Sequence, residues 1–457
     1  MNTYHVIKDP VHGTMQFTDQ EDSWVKPFIN SPHFQRLRHI KQLGMGDFIF
    51  PGAVHTRFNH CLGCCYVGSQ IAHKIGLADE ERQLVMIACL LHDIGHGPFS
   101  HTFEDIFQGK SIRHEDWTPF FLADYRTSAF FEEYNRHNPR YTLTPSKFAQ
   151  IEDMIMHRSS AKRVLADIVS SQMDADRLDY LLRDSHFCGV TYGQFDFRWM
   201  LHCMAIVQSG ESERLGVTHK GIGVVEHYLM ARRLMIRNIY FSYKKLALEF
   251  LLVQLLSNLS TQLDQAAYAA IKQTRLGKLL SLVNDFNQKT LSKAVFLEKG
   301  YPIYKELGDY DICSLIKTLT DINDNSPASQ IAQRLHYRTI PKIIRLDFMN
   351  MGELEPLIAN FKATHAKSIQ PWQIALIKTP HQSYVAEGDP ILVINEHGAV
   401  NPINEMSFMI HAISDKHEQT AFLCIDRGIM EREEVGEWVK KIMHSTAPST
   451  FDMPLHN

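Results

Sequence analysis

The chain reads as a mainly α protein, with a helical domain over 1–320 and a smaller C-terminal α+β region over 321–457, on two observations. From Ser31 to about Phe250 most apolar residues recur at helical spacing between glycine and proline breaks. After about residue 320 the texture changes. "DINDNSP" is a turn-rich break, and "IPKIIRLDF", "WQIALIKT" and "DPILVINEHG" are short strand-like runs bounded by turn residues.

The helical elements follow in order. "SPHFQRLRHIKQLG" opens with Ser31 as N-cap and Pro32 at the first helical position, and Gly44 is placed to close it. "ERQLVMIACLLHD" is apolar nearly all round in its second half, which predicts a buried helix whose last turn carries His92 and Asp93 inward. "IVSSQMDADRLDYLLRDS" and "EHYLMARRLMIRNIYFSYKKLALEFLLVQLL" each predict one long helix, and "ASQIAQRLHYR" a short one beyond the break.

Composition excludes several classes. The chain has 457 residues, 44% of them hydrophobic, enough for a sizeable core. Its net charge of −4 gives no overall positive field to draw it onto nucleic acid or anionic lipid. Apolar runs such as "LVMIACLL" fall short of the roughly 18 residues of a membrane span, and "MNTYHVIKDPVHG" lacks a signal pattern, so a cytoplasmic protein is expected. The eight cysteines are scattered, which predicts reduced thiols; Cys61 and Cys64 of "HCLGCC" lack a second pair at zinc-site spacing and are expected to pack.

The chemistry gathers at "LLHDIGHGPFSH", where Gly95, Gly97 and Pro98 stop the helix just after His92 and Asp93. An adjacent histidine and aspartate can present a nitrogen and an oxygen to one divalent cation, provided other parts of the chain complete the set. His60 lies upstream in "HTRFNHCLG", and "SQMDADRLDYLLRD" supplies Asp174, Asp176, Asp179 and Asp184 downstream.

The order His60, His92-Asp93, Asp176 resembles the pattern of the HD phosphohydrolase superfamily. "QRLRHIKQLG", "FPGAVHTRFNHCLG", "CLLHDIGHGPFSH", "DADRLDYLLRDS" and "GVTYGQFD" together resemble the deoxynucleoside triphosphate triphosphohydrolases, in the branch of the sterile-alpha-motif and HD-domain enzymes and their bacterial relatives. The likeness covers about residues 5 to 250, with a weaker echo to about 345. It implies a helical HD-domain core and a metal held by His60, His92, Asp93 and Asp176, with Asp174 the competitor for the last place. Such a mixed N/O site suits Fe, Mn, Ni or Zn, and Mg can join through substrate phosphates.

The resemblance also implies the reaction. Water attacks the α-phosphorus of a deoxynucleoside triphosphate, and intact triphosphate separates from the deoxynucleoside. His101 and His114 are the candidates for the acid that protonates the leaving 5′ oxygen. His96 and Glu104 position or activate reacting groups, and Arg57 faces the phosphate charge. Gln42, Arg177, Tyr180 and Asp184 align with positions contacting sugar or phosphate, Tyr180 disfavouring a 2′-hydroxyl. Several relatives bind activating nucleotides between the subunits of a dimer or tetramer. Here "YRTIPK" offers Arg338 and Lys342 for phosphate, and the N-terminal segment offers His5, Lys8 and Asn30. Asn30 stands where relatives carry a guanine-reading aspartate, which argues against guanine activation. Two other readings remain open: another HD-type nucleotide phosphohydrolase, such as a nucleotidase or phosphodiesterase, or a nucleotide-sensing or nucleic-acid-binding regulator. The accompanying histidines favour the triphosphohydrolase. The net charge, and the lack of an aromatic-basic alternation, argue against extended nucleic-acid binding.

Overall fold

The computed structural model describes residues 5–107, 111–158, 162–346 and 351–445. The architecture is mainly helical, with small sheets. The chain forms two compact units, each assembled from three stretches. The first takes Met1–Tyr240, Leu259–Leu315 and Gln382–Lys416; the second takes Phe241–Asn258, Ile316–His381 and His417–Asn457.

Three helices of the first unit position the site. The central one, Arg57–Lys74, is buried along most of its length and carries small residues at Cys61, Gly63, Cys64, Gly68 and Ala72, which let neighbouring helices approach closely. Asp79–Leu91 packs against it; Asp79, Glu80 and Glu81 sit favourably in the first turn, and every residue from Leu84 to Leu91 is buried. Ala175–Cys188 packs on another side, capped by Asp174 and ended by Gly189 in the left-handed region at φ 70°. A β-hairpin, His5–Asp9 with Gly13–Phe17, precedes them in register Asp9 with Gly13.

Several elements differ from their sequence-based outlines. Ser31 does cap a helix with Pro32 at its start, but that helix ends at Arg36 and a single 3₁₀ turn follows. The chain then becomes extended at Ile40 because its backbone pairs with the approach to the central helix: Arg57 donates to the Ile40 carbonyl and Gln42 to that of His55. "IVSSQMDADRLDYLLRDS" forms two helices, Arg163–Val169 and Ala175–Cys188, because Asp174 caps the second. The long "EHYLMARR" segment breaks at a π turn, Ile236–Tyr240, between Ile222–Met235 and Tyr243–Ser260. Met204–Ser209 and Ser212–Thr218 form a hairpin inside the stretch expected to be helical, extended by Leu392–Ile394 and Val400–Pro402 into a four-stranded sheet.

The second unit centres on a three-stranded sheet, with His417–Ile425 between Lys342–Arg345 and Ile374–Gln382. Its core gathers Ile344, Leu354, Ile358, Leu423 and Trp438, with Phe361 stacked on Trp438 at 4.1 Å. Among the described residues no helix is long and apolar enough to cross a membrane.

Candidate metal centre

The three helices bring His60, His92, Asp93 and Asp176 together. His60 stands one turn inside the central helix, His92 caps the end of Asp79–Leu91, and Asp176 lies in the first turn of Ala175–Cys188. His60 Nε2 is 3.0 Å from Asp176 Oδ1 and 3.8 Å from Asp93 Oδ2. His92 Nε2 is 3.5 Å from Asp93 Oδ1 and 3.6 Å from Asp176 Oδ1.

The donor set fits a cation. His92 donates from Nδ1 to the Cys89 carbonyl at 2.9 Å, while its buried Nε2 has no hydrogen-bond partner. His60 donates from Nδ1 to Asp179 Oδ2 at 2.8 Å, so its Nε2 is turned toward the same point. Each imidazole is oriented through its other nitrogen, the usual arrangement for a metal-bound histidine. Burial opposes charge on His60, yet Asp176 and Asp179 push it up to about 10. Donor atoms of His60, His92, Asp176 and Cys64 lie within 4.8 Å of one another. Burial pushes the Cys64 thiol well above its ordinary value, consistent with a packing role.

The two neighbouring aspartates divide their work. Asp174 accepts the backbone N–H of Ser171 at 2.8 Å and of Arg177 at 2.7 Å; its burial raises it to about 6. Its oxygens are occupied by the helix cap, whereas Asp176 faces the two histidines.

Beside this group lies a second one. His114 donates from Nδ1 to Glu104 Oε1 at 2.7 Å, and His101 Nδ1 is 3.3 Å from Glu104 Oε2. Despite burial, these two histidines hold Glu104 below the ordinary carboxylate range. His96 stacks on His114 with centroids 3.7 Å apart; burial, helped by Arg57 and His114, pushes it well below the usual imidazole value and keeps it neutral. His101 is 68% exposed, against 15% for His114. The loop that arranges them is tight: Phe99 and Ser100 adopt φ of 54° and 56°, and a Cβ on Gly97 would run into the Tyr304 ring. Arg57 is paired with Asp93 and donates from Nε to Ser100 Oγ at 2.9 Å.

The remaining candidates fall in different places. Tyr180 lies one helical turn from Asp176, its ring 6.5 Å from that of His60. Gln42 is half-buried, with Oε1 lacking a hydrogen-bond partner. Arg177 is tied to the Ser171 carbonyl and Asp174. Asp184 accepts from His55 Nε2 and from the Tyr240 hydroxyl, each at 2.8 Å. Lys8 bonds Thr14 and Asn30 ends the Asp19–Ile29 helix, both in the first unit; the side chain of His5 lies outside the described residues. In the second unit Arg338 and Lys342 line a depression of about 310 Å³ with Lys244 and Arg427.

Sequence reasoning missed the supporting residues. Asp179 was visible only as one of a burst of acids; His12, Arg183, His55 and Tyr240 gave no local signal. Asp309 is likewise hidden: it accepts the N–H of Lys41 at 2.9 Å and of Phe99 at 2.7 Å, joining two site loops, and burial raises it to about 6.

A helical core that gathers histidines and aspartates from three helices around one point defines an HD-type phosphohydrolase, and the HD domain family model matches residues 57–184. Curated relatives include the uncharacterized protein YwfO of Bacillus subtilis, 34% identical over 58% of this chain and 57% of its own length. The uncharacterized MG461 homolog of Mycoplasma pneumoniae is 30% identical over 64% of this chain and 70% of its own length. Deoxynucleoside triphosphate triphosphohydrolase SAMHD1 of Homo sapiens is 30% identical over 52% of this chain and 42% of its own length. A crystal structure of a phosphohydrolase from Bacteroides thetaiotaomicron superposes with a TM-score of 0.73 at 28% identity, covering 93% of this chain and all of that one. The chain thus spans about half the length of YwfO and of SAMHD1. It belongs to the HD-domain phosphohydrolase family, and SAMHD1 proteins are among its relatives.

Proposed function

We propose that this HD-domain enzyme hydrolyses deoxynucleoside triphosphates to deoxynucleoside and intact inorganic triphosphate. The observation that carries the reading is the junction of two sites: two oriented imidazoles facing Asp93 and Asp176, directly beside the His96–His114–Glu104 cluster. The activity named for the SAMHD1 relatives supports it.

His60, His92, Asp93 and Asp176 would hold Fe, Mn, Ni or Zn, which when bound supplies charge neutralisation at the α-phosphate and acidifies water into a nucleophile. The chain does the rest. Arg57 stabilises charge that develops on the phosphate oxygens. As water attacks the α-phosphorus and the bond to the 5′ oxygen breaks, His101 or His114 protonates the leaving oxygen. Glu104 takes both of their Nδ1 atoms, which leaves Nε2 as the atom that moves the proton. Tyr180 closes the space a 2′-hydroxyl needs, while Gln42, Arg177 and Asp184 orient sugar and phosphates. Mg arrives with the substrate. An activating nucleotide held near Arg338 and Lys342, and a dimer or tetramer, complete the proposal.

The test combines phosphorus NMR over all dNTPs and NTPs with metal analysis of the wild type and of the His92→Ala, Asp93→Ala double variant. Wild type is expected to release triphosphate from dNTPs; the double variant is expected to lose both metal and turnover while keeping its helical circular dichroism. Orthophosphate or pyrophosphate as first product would instead support a nucleotidase or pyrophosphatase, and full metal content in the double variant would refute the ligand assignment.

A further inference from the structure

A buried chain of charged side chains runs from the N-terminal hairpin to His60. Asp9 Oδ1 accepts the backbone N–H of Val11 and of His12, each at 2.9 Å, which fixes the turn of the hairpin. Asp9 Oδ2 accepts from Arg183 Nη1 at 2.8 Å. Arg183 grips Asp179 with a two-pronged contact, Nε to Oδ2 at 2.8 Å and Nη2 to Oδ1 at 2.9 Å. His12 reaches the same carboxylate from the hairpin, Nε2 to Oδ1 at 2.6 Å, and Asp179 Oδ2 in turn receives His60 Nδ1. Asp179 and Arg183 are completely buried, and His12 is 4% exposed.

The sequence makes room for this arrangement at one point. Gly63 lies one turn after His60 in the central helix, and a Cβ there would collide with the carboxylate of Asp179 and with Arg183 Nη2. Glycine inside a helix is less favourable than alanine because it loses more backbone freedom on folding. The cost is met where the Asp179–Arg183 pair must lie directly on the helix that carries His60.

We propose that the Asp9–Gly13 turn is a working part of the metal centre: His12 and Arg183 are positioning residues that hold Asp179, and Asp179 holds His60 with Nε2 toward the cation, so metal retention depends on the hairpin being seated. The inference rests on the metal site proposed above. A carboxylate held on three sides cannot rotate away from His60. With His12 removed, one oxygen of Asp179 loses a donor in a buried setting, and the carboxylate can turn further toward Arg183. The imidazole of His60 then loses its fixed orientation, and the cation loses a preorganised ligand.

The test is Mn²⁺ titration of metal-stripped full-length protein by electron paramagnetic resonance, alongside thermal unfolding in chelator. Replacing an outer partner of a metal ligand usually weakens affinity about 10- to 100-fold, so Asp179→Asn is expected in that range and His12→Ala at about its lower end. His12→Gln, whose amide can still donate to Asp179, is expected to recover most of the affinity. Asp9→Asn keeps the acceptor for the turn but removes the charge facing Arg183; it is expected to weaken Mn²⁺ in the same direction, and it carries the test where either of the first two variants fails to fold. A lower melting temperature in chelator with unchanged Mn²⁺ affinity in His12→Ala and Asp9→Asn would overturn the proposal, reducing the hairpin to a structural clasp. Failure of the metal site itself would look different: His60→Ala would bind Mn²⁺ as tightly as wild type.

Discussion

Asp174 and Asp176 are two residues apart, of the same residue type and equally close to the right motif, yet they are bound for different tasks. Asp174 spends its oxygens on two backbone N–H groups, and Asp176 faces His60 and His92. Asp176→Ala is therefore expected to lose metal with little loss of fold stability. Asp174→Ala should retain metal but lose about 1 kcal/mol, the usual value of an N-cap, read as a lowered urea midpoint. Metal loss confined to Asp174→Ala would reverse the assignment. Tyr180→Ala is expected to narrow the ratio of dNTP to NTP turnover, and an unchanged ratio would leave Tyr180 as packing. At this scale the candidate metal ligands, the histidine cluster and Arg57 were legible as candidates because their motifs are local. Asp184 was legible as a candidate, but its engagement by His55 and Tyr240 was not, since those partners are 129 and 56 residues away.

Between elements, Glu21 is the main buried junction outside the site. It completes the capping box with Thr18 and receives Ser69 Oγ, His73 Nε2 and Arg82 Nη2 at 2.9, 2.7 and 2.6 Å, joining the Asp19–Ile29, Arg57–Lys74 and Asp79–Leu91 helices. Burial alone would raise its carboxyl, but His73, Thr18 and Arg82 lower it from 4.5 to about 2. The folded value lies below the unfolded one, so the stabilisation is complete above about 4.5 and is lost as the pH falls toward 2. Discounted for solvent screening, its size is of the order of 1 to 3 kcal/mol. In chelator, Glu21→Gln is expected to flatten the fall in urea midpoint between pH 6 and pH 3; the same fall in variant and wild type would contradict this. Helix starts were readable from Ser31-Pro32 and from acids in first turns. The end at Arg36 was not, because it is imposed by backbone pairing between Ile40 and Arg57, a tertiary event with no local mark. The Met204–Thr218 hairpin was hidden in a helical region because short apolar runs fit either period.

For the whole molecule, two features matter: the chain passes repeatedly between its two units, and the basic depression of Arg338, Lys342, Lys244 and Arg427 belongs to the second. The mainly α class was plain from periodicity, whereas crossings at 241, 259, 316, 382 and 417 depend on which distant surfaces cover each segment. Under the proposed activation, light scattering should show a dimer or tetramer that responds to nucleotide, since a ligand preferring the assembled form favours it by mass action. If, as the resemblance implies, Asn30 takes the place of a guanine-reading acid, a non-guanine dNTP should activate at least as well as dGTP or GTP, or no activator should be needed. Arg338→Ala with Lys342→Ala should abolish any activation and keep the metal. A fully active monomer under all nucleotide conditions, or GTP as the sole strong activator, would contradict this.

The proposed reaction is attack by water on the α-phosphorus with loss of the whole triphosphate. It is tested most directly by one turnover experiment in 18O-labelled water, with mass spectrometry of both products. Intact triphosphate carrying a single 18O and an unlabelled deoxynucleoside are expected. Label in the deoxynucleoside, or labelled orthophosphate or pyrophosphate as the first product, would contradict it.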